Sequence, residues 1–212
     1  MKPHRPHQLL ALAVGDDPNA WEQAGFTVDN GSTRVGNTTI HLAGIGAERG
    51  VVGWAVDGLT KPLDGLVPST PGPAGSSASH QNGIISIDHL VIGTDDFART
   101  LPIYEQAGMS VRRTRTFEVD GVIRQQSFFW LGDVILELIG PQDRDPDGSG
   151  RSRFWGLAMT SVDLDQTAGL LGDRISEPKP ALQAGRRIST LRTRELDISV
   201  PIAVMSPHVP PG

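Results

Sequence analysis

The 212-residue sequence predicts an α+β fold in which one small unit of strands and a helix is repeated. The main observation is that the segment WEQAGFTV at 21–28 returns as YEQAGMSV at 104–111. A second observation is that each copy follows a short apolar run that ends in two aspartates, at 16–17 and 95–96. Matching segments with matching flanks indicate a duplicated structural unit, so the two copies are expected to fold alike.

Each copy is predicted to begin with a strand and a helix. The apolar runs at 9–14 and 87–92 have the length and composition of buried strands. The aspartates that follow are typical helix N-caps, because their carboxylates accept hydrogen bonds from the free N–H groups of the first turn. Gly25 and Gly108 then end the two helices, since glycine adopts the left-handed conformation that closes a helix without strain.

The repeat continues downstream as further strands. Residues 35–44 match residues 131–140, and both indicate a tight Gly-Asn or Gly-Asp turn that leads into a strand. In the second copy, a hairpin around Asp120-Gly121 is predicted between the helix and this last strand. The unit is therefore a βαβββ module, and its hairpin is shorter in the first copy.

A third unit begins at 154–159 and continues with a helix at 166–171 and strands near 187–191 and 200–205. The run at 52–56 matches only the first strand of such a unit and then stops. After it, a stretch rich in Pro, Gly and Ser has no apolar periodicity, which predicts a flexible linker.

The predicted organisation is a partial N-terminal module, a linker and a paired domain. These parts occupy residues 7–66, 67–83 and 84–207, and the paired domain consists of the modules 84–141 and 153–207. A chain of this length can bury enough apolar surface for such blocks to fold without covalent staples.

The composition limits the classes of function. The sequence has no cysteine, which rules out disulfides, a thiol nucleophile and cysteine-bound zinc or iron–sulfur clusters. Its net charge of -5 argues against a nucleic-acid partner, although the cluster Arg112, Arg113 and Arg115 could bind a small anion. No apolar stretch approaches the ~20 residues that cross a bilayer, so we expect no membrane partner and a cytoplasmic location.

The central module resembles the vicinal oxygen chelate superfamily, which includes glyoxalase I, methylmalonyl-CoA epimerase, extradiol dioxygenases and bleomycin-resistance proteins. The resemblance is carried by the strand 87–92 (IDHLVI), the glycine-ended helix, the hairpin and the strand 131–139 (LGDVILELI). It is strongest over 84–141, weaker over 153–207 and partial over 7–66. The resemblance implies paired βαβββ modules that form curled mixed sheets around a cup, with a divalent metal bound by the first and last strands.

His89 and Glu137 are the leading candidates for a site. Each is an ionisable group among apolar strand residues, where an unpaired charge would be costly. Strand alternation allows both to point into one cavity, and the resemblance places both at positions of metal ligands. A divalent metal would satisfy both groups, but a hydrogen bond between them in a metal-free core would do so as well.

A third ligand is less obvious. Gly156 and Ala203 stand where the resemblance expects the other two ligands, and neither can bind a metal. His41 falls at the position of the first module that corresponds to Glu137. This suggests a set of His41, His89 and Glu137, which would leave coordination positions open for water and a bidentate oxygen substrate.

Substrate contacts are predicted along the strand at 123–131, which follows the Asp120-Gly121 turn. Arg124 and Gln126 alternate onto one strand face and could bind substrate oxygens, or they could simply be solvated. Phe128, Trp130 and Trp155 are predicted to line the cup.

One further candidate site and one rejected motif lie elsewhere in the sequence. The pair Arg186-Arg187 could hold an anion at the rim of the cup. The Gly-rich loop 44–50 has the wrong spacing and context for a dinucleotide site, so we expect no nucleotide cofactor.

Three functions remain open at this point. The first is a glyoxalase-like enzyme, a metal-assisted lyase or isomerase acting on a small molecule with adjacent oxygens, with Glu137 as ligand or base. The second is a metal-free ligand-binding or drug-sequestering protein with an apolar cup. The third is a silent scaffold or dimerisation module, in which the truncated first block would leave an apolar face for a homodimer.

Overall fold

The computed structural model describes residues 7–44, 46, 48–72 and 79–208. Within these residues the chain forms three successive groups of strands, each with one helix. The bounds of the first group are β1 (Leu9–Val14), α1 (Pro18–Gln23), β2 (Ser32–Val35), β3 (Thr38–Leu42) and β4 (Val51–Val56). The second group consists of β5 (Ile84–Gly93), α2 (Phe97–Gln106), β6 (Arg113–Val119), β7 (Val122–Leu131) and β8 (Val134–Pro141). The third consists of β9 (Arg153–Ser161), α3 (Leu164–Leu171), β10 (Lys179–Pro180), β11 (Arg187–Thr190) and β12 (Ile202–Met205).

The second and third groups share one eight-stranded sheet with the order β10-β11-β12-β9-β5-β8-β7-β6. In each group the first strand pairs with the last strand in parallel, β5 with β8 and β9 with β12. The two groups are joined where β5 and β9 pair antiparallel. The predicted fold class, α+β with repeated modules and mixed sheets, is confirmed.

The first group forms a separate sheet with the order β2-β3-β1-β4. Strand β1 pairs with β3 in parallel, as β5 pairs with β8. It also pairs antiparallel with β4, as β5 pairs with β9. Strand β4 therefore takes the place of the first strand of a second module, and the repeat stops there. The run at 52–56, expected to match only the first strand of a further unit, forms this strand.

The helix ends follow the predicted chemistry. Asp17 and Asp96 cap α1 and α2, and their carboxylates accept hydrogen bonds from backbone N–H groups of the first turns. Gly25 and Gly108 follow the two helices with φ values of 81° and 89°, in the left-handed region that favours glycine. None of the described helices has the length and apolar character needed to span a bilayer.

The eight-stranded sheet has two different faces. Along β8 the residues alternate strictly between buried and half-buried. Leu136 and Leu138 are fully buried on one face, together with Leu90 and Ile92 of β5. This alternation leaves Glu137 on the opposite face, so the core lies on one side of the sheet and polar groups lie on the other.

The described ends of the predicted linker pack on the N-terminal module. Ser69 N donates to the Trp54 carbonyl at 2.7 Å, and Asn82 Nδ2 donates to the Ala24 carbonyl at 2.8 Å. Residues 73–78 of this segment lie outside the described residues. The packed ends differ from the flexible connection expected from composition, because their polar groups satisfy free backbone groups of the module.

His80 is the clearest example of this packing. Its Nδ1 accepts a hydrogen bond from the Thr27 N–H at 3.1 Å, and its Nε2 lies 3.0 Å from the Arg34 carbonyl, to which it donates. Both ring nitrogens are therefore used by the neutral tautomer. Burial lowers the pKa of His80, and the hydrogen bond to Arg34 offsets this only in part.

We predict that acidification destabilises the fold through His80. The unfolded chain binds a proton at this group near its ordinary pKa of 6.5, and the folded chain does so only at lower pH. The free energy of unfolding should therefore fall as pH drops below 6.5. Urea denaturation of His80→Ala should show a weaker fall between pH 6.5 and 5.5 than wild type. Equal pH slopes in wild type and His80→Ala would contradict this role.

Candidate functional site

A cavity of about 930 Å³ lies on the polar face of the eight-stranded sheet. One side is built by Phe128 and Ile139 of the central module, and the other by Ile188 and Met205 of the last module. His89 and Glu137 also line it, so the two leading candidates of the sequence open into the same space. A volume of this size accommodates a small organic molecule.

Strand register brings His89 and Glu137 together. In the parallel pairing of β5 with β8, His89 lies opposite Ile135, and Val91 lies opposite Glu137. The two polar residues are thus two positions apart on neighbouring strands, with their side chains on the same face. Nε2 of His89 lies 3.6 Å from Oε2 of Glu137.

The other ring nitrogen of His89 is held by Asp88. Nδ1 of His89 lies 2.9 Å from Oδ1 of Asp88. Consecutive strand residues normally face opposite ways, but the pairing of β5 with β9 is irregular between Ile87 and His89. This irregularity breaks the regular alternation at Asp88, whose carboxylate contacts the neighbouring imidazole.

Asp88 is itself part of a buried ion pair. Its Oδ2 lies 2.7 Å from Nη2 of Arg186, and the two side chains are only 4% and 1% exposed. Thr160 Oγ1 donates to the same oxygen at 3.1 Å. Because Asp88 lies on β5 and Arg186 lies directly before β11, this pair joins the central module to the last one.

The environment keeps Asp88 ionised. Burial by itself would raise the pKa of its carboxyl, but the hydrogen bonds from His89 and Arg186 and the Arg186 charge outweigh burial, and the pKa falls far below its ordinary value of 3.8. An ionised carboxylate can only accept, so Nδ1 of His89 is the donor. When the imidazole is neutral, its lone pair is therefore on Nε2, which faces Glu137.

Glu137 is oriented from its other side. Its Oε1 accepts a hydrogen bond from Nε2 of Gln126, and Oε1 of Gln126 accepts one from Nε of Arg115. These contacts leave Oε2 of Glu137 directed to His89. The site therefore holds a carboxylate and an imidazole with a free lone pair in fixed positions. Two such groups can act in general acid–base chemistry.

The predicted substrate residues divide into two sets. Gln126, Phe128 and Trp130 line the cavity. Arg124 does not, because it pairs with Pro141 at the far end of β8. Trp155 does not line the cavity either and is 51% exposed. The pairing of β9 with β5 is irregular at this point, since Phe154 and Gly156 have partners and Trp155 has none.

His41 is not brought to His89 and Glu137. It lies on β3 of the separate four-stranded sheet, where Nδ1 pairs with Ser32 Oγ at 2.9 Å and the Gly72 backbone packs against the ring. In the part of the chain that the structure describes, no three His, Asp or Glu side chains are grouped to hold a metal ion. The set of His41, His89 and Glu137 is therefore wrong, because the first module does not share the sheet of the second.

The opposite wall offers no replacement donors. Gly156 faces Val91 across the β5–β9 pair, and a Cβ at this position would lie 2.8 Å from the Pro201 carbonyl oxygen. Ala203 also lacks a donor atom. His89 and Glu137 are close enough to share one ion at ~2.1 Å from each, but two donors on one wall do not fit a resident metal held by three or four protein ligands.

Asp88 and Arg186 are the functional residues that sequence reasoning missed. The expectation for Arg186 was a rim position, whereas the side chain is buried and paired. Arg187 forms a surface pair with Asp165 at 2.7 Å. The available signal was an aspartate directly before the candidate histidine, but regular alternation would have sent that aspartate to the other face.

Comparison with solved structures identifies the fold. A xylose isomerase-like TIM barrel/4-hydroxyphenylpyruvate dioxygenase fusion protein matches with a TM-score of 0.59 at 13% identity, over 97% of this chain and 50% of that chain. The fold is that of the vicinal oxygen chelate superfamily. At this identity the likeness concerns the fold alone.

Two other vicinal oxygen chelate proteins match at lower scores. Methylmalonyl-CoA epimerase from Mycobacterium tuberculosis has a TM-score of 0.45 and 17% identity, over 60% of this chain and 91% of that chain. A glyoxalase I mutant from Zea mays has a TM-score of 0.39 and 13% identity, over 96% of this chain and 69% of that chain. No protein-family model and no curated protein sequence matches the chain.

We predict that the Asp88–Arg186 pair stabilises the paired modules. Asp88→Ala leaves the Arg186 charge buried without its partner, which should lower the free energy of unfolding by about 3–5 kcal/mol. Asp88→Ala combined with Arg186→Met removes both charges and should recover part of this loss. Urea denaturation measures both effects.

Arg187→Met provides the matched control for this prediction. It breaks only a surface pair and should cost less than about 1 kcal/mol. If Asp88→Ala were no more destabilising than this control, the buried pair would not hold the modules together.

Proposed function

We propose that the protein is a small-molecule enzyme that transfers a proton at a carbon next to a carbonyl group, as a glyoxalase-like isomerase or lyase. The observation that carries this proposal is the pair formed by Nε2 of His89 and Oε2 of Glu137, 3.6 Å apart in a cavity of about 930 Å³. Both groups have fixed partners on their far sides, so their reactive atoms face each other at the wall of the cavity that both residues line.

The chemistry follows from the order of the hydrogen bonds. Nε2 of His89 accepts the proton of the substrate carbon, and the electron pair of the broken C–H bond moves into the carbonyl to form an enolate. The new imidazolium lies between the carboxylates of Asp88 and Glu137, which stabilise its charge. The Arg115 guanidinium, which also lines the cavity, supplies a cation for the enolate oxygen.

Return of the proton completes the reaction. Glu137 can take the proton from His89, because the two groups are close and Oε2 has no other hydrogen-bond donor among the described residues. Delivery of the proton to a different carbon of the enolate, or to the other face of the same carbon, gives an isomer of the substrate. Loss of a leaving group from the enolate gives a lyase reaction.

The metal-assisted version of this reaction does not fit the donors present. A divalent ion would polarise the carbonyl, but this chain offers two donors on one wall and none at Gly156 and Ala203 on the other. We therefore assign the proton transfer to side chains alone.

Proton exchange tests the proposal directly. In D₂O, the protein should catalyse the incorporation of deuterium at the acidic carbon of some 2-oxo acids or 1,3-dicarbonyl compounds. A panel of both classes is examined, and ¹H NMR measures the exchange rate of each compound. His89→Gln and Glu137→Gln should each reduce the rate by roughly 10²-fold or more, because each removes a proton-transfer group. His41→Gln changes a histidine of the other sheet and should leave the rate unchanged. Wild-type exchange in His89→Gln would contradict the assignment.

A ligand-binding protein without turnover is the second candidate. It is supported by the apolar walls of the cavity and by the lack of donors at Gly156 and Ala203. The same panel separates the two functions, because thermal stabilisation by a compound without any exchange would favour binding alone.

The small number of metal-binding side chains at the site leads to a separate prediction about metals. After dialysis against Zn²⁺, the wild-type protein should retain well below one equivalent of metal. Ala203→Glu should bind Zn²⁺ more tightly, because Ala203 lies in one register row with Ala158 and His89 and would add a third donor on the cavity face. Calorimetric titration measures both affinities. Stoichiometric metal in wild type that survives His89→Gln would show that another set of residues holds it.

A further inference from the structure

The cavity carries a charge opposite to that of the whole protein. Arg112, Arg113, Arg115 and Lys179 line it, against the one carboxylate of Glu137. The chain as a whole has a net charge of -5. Cations gathered around a concave apolar surface concentrate positive potential there and attract anions.

Three of these cations are available to a ligand. In the described parts of the chain, the side chains of Arg112, Arg113 and Lys179 have no hydrogen-bond or ion-pair partner, and all three are exposed. Other arginines of the protein do have acidic partners, for example Arg99 with Asp64 at 2.7 Å. The cations at the cavity are therefore not used by the fold.

Strand register places these cations at a fixed distance from the acid–base pair. Arg113 lies opposite Phe128, and Phe128 lies opposite Glu137, so the three residues form one row across β6, β7 and β8. Two strand spacings separate Arg113 from Glu137, which is about 10 Å between their Cα atoms. The Phe128 ring lies in the interval and offers an apolar surface to the middle of a ligand.

Lys179 adds a cation to the cavity from the last module. It lies opposite Ile188, and Ile188 lies opposite Met205, so it extends the apolar wall that these two residues form. Cations therefore stand on both walls of the cavity, with apolar side chains between them and the His89–Glu137 pair.

We propose that the ligand of this cavity is an organic acid, with a carboxylate or phosphate monoester bound by Arg112, Arg113 and Lys179 and an apolar body along Phe128. Guanidinium groups bind both kinds of anion in a bidentate manner. This inference rests on the proposed function for the reacting end of the molecule, which would reach His89 and Glu137. The anion site itself stands on the cations alone.

Binding of matched acid and neutral compounds tests the anion site. Calorimetry of the whole chain with 4-phenylbutanoate and 4-phenylbutanamide examines the carboxylate, and 2-naphthyl phosphate and 2-naphthol examine the phosphate. At least one acid should bind roughly tenfold or more tightly than its neutral partner, because charge-assisted hydrogen bonds are lost in the neutral compound. The affinity should also fall as salt is raised. The acid that shows the larger preference identifies the anion.

Variants locate the site. Arg112→Gln combined with Arg113→Gln should remove most of the preference for the acid, because only Lys179 of the three proposed cations remains, while Arg124→Gln, which changes a cation of β7 outside the cavity, should retain it. Equal binding of acid and neutral compounds, no binding of either acid at millimolar concentration, or full preference in the double variant would each overturn the proposal. Circular dichroism and urea denaturation verify that the exposed arginine variants remain folded.

The two proposals fail in different ways. His89→Gln and Glu137→Gln should keep the preference for the acid and lose proton exchange. If anion preference persists while His89→Gln keeps full exchange, the acid–base assignment is wrong and the anion site stands. If exchange depends on His89 but acid and neutral compounds bind alike, the anion site is wrong and the acid–base assignment stands.

Discussion

The structure depends on one buried charge contact between modules, that of Asp88 with Arg186. The carboxylate belongs to the first strand of the central module, and the guanidinium precedes a strand of the last module. Because both are removed from water, each would be costly without the other, so the paired modules need both groups in this register. The same carboxylate fixes the orientation of His89. The contact between the modules and the geometry of the site therefore share one residue, Asp88.

Much of the fold could be predicted because repetition makes local signals easier to interpret. The Asp-Asp helix starts and the glycine helix ends meet the needs of free backbone groups at helix ends, and they recur in register in two copies. His89 and Glu137 could be matched because strands alternate with a period of two, and in the parallel pairing both fall on the non-core face.

The unpredicted features arise where local regularity is broken or where distant segments meet. The strand irregularities near Asp88 and Trp155 shift side chains away from the face that alternation assigns. The burial of Arg186 depends on a partner 98 positions away, which no local pattern encodes. The error over His41 had a third cause, since sequence equivalence between modules does not determine which modules share a sheet.

The N-terminal copy illustrates how a truncated module is accommodated. Its sheet is completed by a single strand in place of a second module, and Asp16 connects it to the rest of the chain. This fully buried carboxylate accepts hydrogen bonds from the Trp21 indole at 3.1 Å and from the Ser199 backbone N–H at 3.0 Å. A polar group at a helix start thus fastens the partial copy to the last module.

The close approach of Gly156 to the Pro201 carbonyl restricts what position 156 can hold. A Cβ at this position would lie 2.8 Å from that oxygen, so any side chain larger than hydrogen requires the backbone at 201 to move. A single substitution therefore cannot place a histidine or a glutamate at this point of the sheet without displacing the neighbouring chain.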